Sequence, residues 1–344
     1  MTAMGSAMAR ETAEAPDAVA RLLDREFSSM CALGRRLAER APPVVATCAR
    51  GSSDHAAGYF KYLLEIGAGL PVASLGPSIA SVYAARLHLP GGALISISQS
   101  GGSPDLVALQ AAARAGGAVT VAIVNVTESP LAREADIVVP LHAGVESSVA
   151  ATKSFITSAV AAATLVAAWT NNPALLAAIR DLPATLGRSL HADWSAAETA
   201  IAPGKKLFVL GRGPALPMAQ EIALKAKETA GIHAEAFSTA EVMHGPLRLV
   251  QNSLPVLALL PDDAASAGSR EALARIGAAG GAVFTTATTA DAPGTLLAAA
   301  PTGHAMTDPI SMALSFYVLI ERICRRHGLD PDHPAHLRKV TETM

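Results

Sequence analysis

The stretch Leu94-Ile-Ser-Ile-Ser-Gln-Ser-Gly-Gly-Ser-Pro104 decides the fold of this chain. Its first four residues are typical of a buried strand, and a proline followed by Asp105 is typical of the first turn of a helix. A strand that passes through a short turn into a helix is the building block of a parallel sheet covered by helices. The stretch therefore predicts an α/β fold.

The junction between this strand and helix, residues 98–103, also predicts an anion-binding site. It contains three serines, a glutamine and two glycines. Unpaired backbone N–H groups and the positive end of the helix dipole meet at such a junction, and glycine lets the backbone approach a ligand closely. One capping side chain satisfies an ordinary helix start. We therefore expect a bound phosphate or carboxylate, the alternative being an N-cap whose serines only satisfy the turn.

Similar strand-and-helix units recur along the chain from about Val44 onward. Arg50-Gly51 follows the first strand, and Arg212-Gly213 occupies the same place in a second series of units. We predict two duplicated domains, each a parallel sheet flanked by helices in a three-layer, flavodoxin-like αβα arrangement. The expected boundaries are an N-terminal segment that includes the start of the first helix over 1–24, a first domain over 25–180, a second over 181–329 and a tail over 330–344.

Within this scheme, several elements are predicted with bounds. A long apolar helix is expected from about residue 150 to residue 170, and a helical connector from 174 to 203. Strands are expected in the second domain at 206–210, 256–260 and 282–287, because apolar runs there are bounded by glycine and proline.

Composition argues against several classes of partner. The formal net charge is −2 and aromatic residues make up 4% of the 344 residues, which favours no nucleic-acid surface. The longest apolar stretch, residues 158–169, is shorter than the about 20 residues of a membrane span. Cys31, Cys48 and Cys324 are scattered and lack the spacing of a disulfide framework or zinc site. They indicate a reducing, cytoplasmic location.

The second half contains the candidate catalytic side chains. Lys225 and Glu228 have the i, i+3 spacing of an ion pair on one helix face. A solvated surface pair is the ordinary explanation of that spacing. His233 and His244 lie eleven residues apart without the spacing of metal ligands. Lys339 is close to the end of the sequence, where a lysine is usually solvated.

A series of short motifs, taken together, is more specific than any of these features. The motifs are Met8-Ala-Arg-Glu-Thr-Ala-Glu-Ala-Pro16, Gly51-Ser-Ser53, Ser98-Gln-Ser-Gly-Gly-Ser103, Val149-Ala-Ala-Thr-Lys153, Gly211-Arg-Gly213, Glu221-Ile-Ala-Leu-Lys-Ala-Lys-Glu228, His233-Ala-Glu-Ala236, Glu241-Val-Met-His-Gly-Pro246 and Leu337-Arg-Lys339. In this order they resemble the isomerase half of glucosamine-6-phosphate synthase, which has two sugar-isomerase (SIS) domains in tandem. The resemblance runs from about residue 8 to the end and is strongest over residues 207–249.

The resemblance implies an activity. The synthase has an N-terminal glutaminase domain, and no such domain precedes the motifs in this sequence, so we expect the branch closest to SIS-type glucosamine-6-phosphate deaminase. Such an enzyme converts glucosamine 6-phosphate into fructose 6-phosphate and ammonia with no cofactor and no metal. The alternatives are a fructosamine-type 6-phosphate deglycase, a galactosamine-6-phosphate deaminase and, in another class, a sugar-phosphate-sensing regulator.

The resemblance also implies roles for individual residues. Glu228 would move a proton between C1 and C2, and Lys225 would neutralise the charge that develops. His244 would assist ring opening from the neighbouring subunit of a homodimer with a shared active site, and Lys339 matches the Schiff-base lysine. The residues expected to bind the phosphorylated amino sugar are Ser52, Ser53, Ser98, Gln99, Ser100, Ser103, Val149 and Glu146.

Overall fold

The computed structural model describes residues 5–287, 289 and 291–339. In this part of the chain, contacts group the residues into two compact units. One, here the first-sheet unit, comprises residues 17–146, 153–180 and 338–339. The other, the second-sheet unit, comprises residues 5–16, 147–152 and the described residues of 181–337.

The first-sheet unit contains a five-stranded, all-parallel sheet in the order β2-β1-β3-β4-β5. Its strands are β1 (Val45–Cys48), β2 (Val72–Ser74), β3 (Ala93–Ser98), β4 (Val119–Val124) and β5 (Ile137–Pro140). Its helices are α2 (Ala15–Arg40), α3 (Ser52–Ala68), α4 (Ser78–Ser81), α5 (Pro104–Ala115), α6 (Pro130–Glu134) and α7 (Lys153–Trp169), and α8 (Pro173–Ser189) begins in it. The strand-to-helix reading of residues 94–104 is confirmed by β3 and α5.

The second-sheet unit contains a second five-stranded parallel sheet, in the order β10-β9-β8-β6-β7. Its strands are β6 (Lys206–Gly211), β7 (His233–Ser238), β8 (Pro255–Leu260), β9 (Ala282–Ala287) and β10 (Thr295–Ala298). Its helices are α1 (Ala7–Ala13), α9 (Ser195–Ile201), α10 (Ala215–Ala230), α11 (Ser266–Ala278) and α12 (Asp308–Arg326). Numbered within each unit, the two sheets have the same strand order, so the predicted duplication of a three-layer α/β fold is confirmed.

Helix α7 is buried along its length and packs against α3. It is apolar around its whole circumference, and every residue from Lys153 to Ala168 is buried, as expected for a helix covered on all sides. Helix α2 packs closely against it at Gly34, where a Cβ atom would lie 2.5 Å from the carbonyl oxygen of Leu165. Only glycine permits that backbone approach.

Some element boundaries differ from the sequence-based expectation. The helix expected from about residue 150 begins three residues later, at Lys153, and Ser147–Thr152 before it groups with the second-sheet unit. Strands β7 and β10 were not predicted: β7 alternates polar and small residues, and β10 is a four-residue edge strand. No helix in the described residues combines the length and the apolar character needed to cross a membrane.

Candidate functional site

The two serine-rich loops lie at the carboxyl ends of neighbouring strands. β1 and β3 pair with each other, and the chain leaves them in opposite directions, toward β2 and toward β4. In doubly wound sheets, ligands bind at this point of reversal. Ser52 and Ser53 begin α3, the helix that follows β1, and residues 98–103 connect β3 with α5.

Within residues 98–103, two serine hydroxyls accept hydrogen bonds from backbone N–H groups of the same loop. Ser98 Oγ accepts from Gly101 N at 3.0 Å, and Ser100 Oγ accepts from Gly102 N at 3.3 Å. The expectation of unpaired N–H groups is therefore wrong for these two glycines. Each hydroxyl can still donate its own hydrogen, so an anion can be bound by O–H groups whose positions are fixed by the backbone. Ser103 stands at the N-cap of α5 without a side-chain capping bond.

Gly101 determines the shape of this loop. Its φ is +60°, a conformation that L side chains rarely adopt, and a Cβ atom there would lie 2.1 Å from Ser129 Oγ. Its carbonyl oxygen accepts a hydrogen bond from Leu131 N at 3.0 Å. The turn is thus held from two sides in a form that only glycine satisfies.

Gly101→Ala is expected to weaken phosphate binding at least about tenfold, because the loop must move to admit the methyl group. Gly102→Ala is the matched control, since its Cβ would make only an ordinary 3.7 Å contact with Ser100 Oγ. The dissociation constant of fructose 6-phosphate, measured by calorimetry on both folded variants, checks the prediction. Equal affinity for the two variants would contradict it.

An ion pair that the sequence analysis missed joins the two loops. Arg50, directly before Gly51, donates from Nε and Nη2 to Asp105 Oδ2 at 3.0 and 2.8 Å. Asp105 is buried in the first turn of α5, whereas the Arg50 side chain is half exposed. The charge-assisted pair fixes the start of α3 relative to the start of α5. Both residues lie in quoted stretches of sequence, but their 55-residue separation gives no local signal.

Glu146 and Lys339, both predicted as site residues, come together in the first-sheet unit. Glu146 is buried, and its carboxylate accepts from Ser154 N at 3.1 Å and from Ser154 Oγ at 2.5 Å. Lys339 Nζ donates to Glu146 Oε2 at 3.4 Å. The half-buried ammonium is thus held by a carboxylate whose own position is fixed at the start of α7.

Lys225 and Glu228 form an ion pair on α10, at 2.5 Å between Nζ and Oε2. A second carboxylate, Glu221, lies 3.4 Å from Lys225 Nζ on the preceding turn and accepts a hydrogen bond from the Tyr317 hydroxyl at 2.9 Å. Lys225 and Glu221 are fully buried, and the Glu228 side chain is 23% exposed. Burial disfavours the ammonium, but the two carboxylates outweigh it and raise the pKa of Lys225. The pair is therefore not the ordinary surface ion pair.

Glu228 lies on the wall of a cavity in the second-sheet unit. The cavity has a volume of about 660 Å³ and is formed by the last turns of α10 and by the segment that follows α12. Leu224, Thr229 and Leu329 line it beside Glu228, together with His333. A partly exposed carboxylate, backed by a buried ammonium and open to an apolar-walled cavity, can exchange protons with a bound molecule.

The contacts of the remaining predicted residues do not indicate a role in the site. His244 is exposed at the end of a short 3-10 helix (Glu241–His244), and its side chain makes no hydrogen bond or ion pair with any residue that the structure describes. Val149 N donates to the carbonyl oxygen of Asp332 at 3.2 Å, so that N–H is already used. Within the described ranges, no three His, Cys, Asp or Glu side chains are grouped as ligands for a metal ion.

The corresponding reversal point of the second sheet, between β6 and β8, has a different chemistry. Arg212 follows β6, and Asp262 and Asp263 follow β8. Burial raises the pKa of Asp263. The loop after β8 in the second sheet thus has two carboxylates at a position equivalent to that of the serines after β3 in the first sheet.

Comparison with known proteins identifies relatives of the chain. The model of the SIS domain family matches residues 44–168 and 200–281. Glutamine–fructose-6-phosphate aminotransferase of Legionella pneumophila is 35% identical over 349 residues, which cover 96% of this chain and 57% of that protein. The chain thus spans little more than half of this relative.

Solved structures show the same architecture. A protein from Silicibacter pomeroyi, provisionally named a phosphosugar isomerase, superposes with a TM-score of 0.90 at 46% identity, covering 95% of this chain and 100% of that one. Glucosamine-6-phosphate deaminase from Thermotoga maritima gives a TM-score of 0.80 at 18% identity, covering 98% of this chain and 100% of that one. At that identity the second likeness shows the fold alone.

Proposed function

Because this chain belongs to the SIS domain family, we propose that it acts on an amino-sugar phosphate, converting glucosamine 6-phosphate and water into fructose 6-phosphate and ammonia. The observation that carries the proposal is the Lys225–Glu228 pair on the wall of the cavity. Isomerisation between C1 and C2 needs a group that can remove and return a proton, and a partly exposed carboxylate can do both.

The serine loops supply the binding energy for the phosphate. The loops at the reversal point of the first sheet contain the predicted phosphate-binding residues, which are Ser98, Gln99, Ser100 and Ser103 after β3 and Ser52 and Ser53 at the start of α3. The contacts to the phosphate stay the same throughout the reaction. They therefore orient the substrate but take no part in bond breaking.

Glu228 performs the proton transfer in this proposal. Once the ring is open, its carboxylate removes the proton from C2 of the amino aldose while the C1 carbonyl oxygen takes up a proton, which gives an enolamine. The carboxylate then returns its proton to C1 as the C2 nitrogen gives up a proton, which leaves an imine at C2 and a hydroxyl group at C1. Lys225 stabilises the negative charge that develops on the enolamine. Water adds to the imine carbon and ammonia leaves, which gives the ketose phosphate.

Lys339 and Glu146 act at C2. We propose that the Lys339 amine, held by Glu146, forms a Schiff base with the C2 carbonyl of the ketose, with release of water, and so retains the open chain until water hydrolyses the Schiff base and frees the ketose phosphate. His244 would assist ring opening from a second copy of the chain in a homodimer. We further propose a cytoplasmic location, which the three buried, unbridged cysteines favour.

Incubation of the purified protein with glucosamine 6-phosphate is expected to release ammonia and fructose 6-phosphate in equal amounts. A panel that adds galactosamine 6-phosphate and fructosamine-type 6-phosphate adducts decides between the deaminases and a deglycase. Ammonia release from none of these compounds would contradict the deaminase, and tight binding without turnover would instead favour a sugar-phosphate sensor.

A further inference from the structure

A hydrogen-bond network joins three segments of the second-sheet unit that are far apart in sequence. These are α1, the segment Ser147–Thr152 and the residues after α12. Glu11, buried on α1, accepts from Ser147 N at 2.5 Å, from Ser147 Oγ at 2.9 Å and from Ser148 N at 3.2 Å. No ion pair of Glu11 is present in the described part of the chain. These hydrogen bonds therefore replace the hydrogen bonds to water that the carboxylate loses on burial.

Asp332 connects the same segments from the other side. Its carboxylate accepts from Ala7 N at 2.7 Å and from Met8 N at 2.8 Å, the first N–H groups of α1. Its carbonyl oxygen accepts from Val149 N at 3.2 Å. Asp332 therefore fixes both the start of α1 and the segment that Glu11 binds. We call the hydrogen bonds of Glu11 and Asp332 the Glu11–Asp332 network.

Both proposed C2 residues emerge from this network along the chain. Glu146 immediately precedes Ser147 in the sequence, and Lys339 follows Asp332 by seven residues. The Lys339–Glu146 contact is long for a charge-assisted hydrogen bond, at 3.4 Å, and it depends on how the two segments are held. The motif that contains Glu11 has no other part in the proposed reaction.

We propose that Glu11 and Asp332 are positioning residues, which set the placement of Glu146 and Lys339 by fixing the segments that carry them. This inference rests on the proposed function, because it concerns the reaction at C2. A displacement of about 1 Å in a reacting group can lower a rate by about a hundredfold. The proposed phosphate site lies in the serine loops, so phosphate binding should be preserved.

Glu11→Gln and Asp332→Asn test the inference, with Glu271→Gln, an exposed glutamate of α11, as the control for removal of one negative charge. We expect both test variants to lower kcat about tenfold to a hundredfold and to leave KM within about threefold. Hydrogen exchange of the peptide that covers residues 146–152 should become faster in both, with residues 98–103 unchanged. The control should alter none of these quantities.

Unchanged kcat in both test variants would overturn the inference, even if their melting temperatures fell, since the network would then be structural only. Unchanged exchange at residues 146–152 would also overturn it. If neither variant folds, Ser147→Ala removes one donor at an exposed residue and should give a smaller change in the same direction. A wild-type protein that turns over no amino-sugar phosphate would overturn the proposed function itself, and with it this extension.

Discussion

Glu228→Gln is expected to lower kcat for ammonia release from glucosamine 6-phosphate by a factor of about 10² to 10⁴, the usual contribution of a positioned proton-transfer group. The amide has the same shape as the carboxylate but cannot accept the C2 proton. The dissociation constant of fructose 6-phosphate should change little, because the proposed phosphate site lies in the serine loops.

Steady-state kinetics together with calorimetry test this expectation, since they separate the chemical step from binding. Glu271→Gln, an exposed glutamate on α11, is the control for removal of one negative charge. A fully active Glu228→Gln variant would rule out the proton-transfer role. A variant that lost binding and rate equally would place Glu228 in substrate binding instead.

Lys225→Met is expected to lower the free energy of unfolding by about 3–5 kcal/mol, the typical cost of removing one partner from a buried ion pair. The substitution leaves Glu221 fully buried without its cation, whereas Lys227→Met removes an exposed lysine from the same helix and should change stability little. Urea unfolding of the two variants measures the difference. Equal losses for Lys225 and Lys227 would show that the buried cluster contributes no specific stability.

The same cluster predicts a pH dependence. Although burial opposes the ammonium, Glu221 and Glu228 raise the pKa of Lys225 above its ordinary value of about 10.4. The stabilisation is therefore fully present below that pH and is lost as the pH rises through the raised pKa. The difference in stability between the wild type and Lys225→Met should narrow at strongly alkaline pH.

The parts of the fold and site that could be predicted are those with a local signature. The run from Leu94 to Pro104 shows strand, turn and helix in consecutive residues, and β3 and α5 follow it. Lys225 and Glu228 are three residues apart, so helical periodicity alone predicts their contact. Glu221 lies one turn earlier, at i−4 from Lys225, and the same periodicity would have found it.

The parts that could not be predicted depend on contacts between distant residues. Glu11 lies 136 residues from Ser147, and Ala7 lies 325 residues from Asp332. No periodicity links such pairs. The polarity of β7 concealed a strand, because its pairing with β6 over His233 to Ser238 supplies the backbone hydrogen bonds whatever the side chains are. The functional roles of the site residues stay predictions until the variants are measured.

The repeated sheet has a consequence for binding stoichiometry. Two copies of one fold offer two reversal points, but the serines follow β3 in the first, and Asp262 and Asp263 follow β8 in the second. Two carboxylates beside the single guanidinium of Arg212 make this loop less favourable for a phosphate dianion than the serine loop. Although its architecture is twofold, each chain should therefore take up one equivalent of sugar phosphate, at the serine loops of the first sheet.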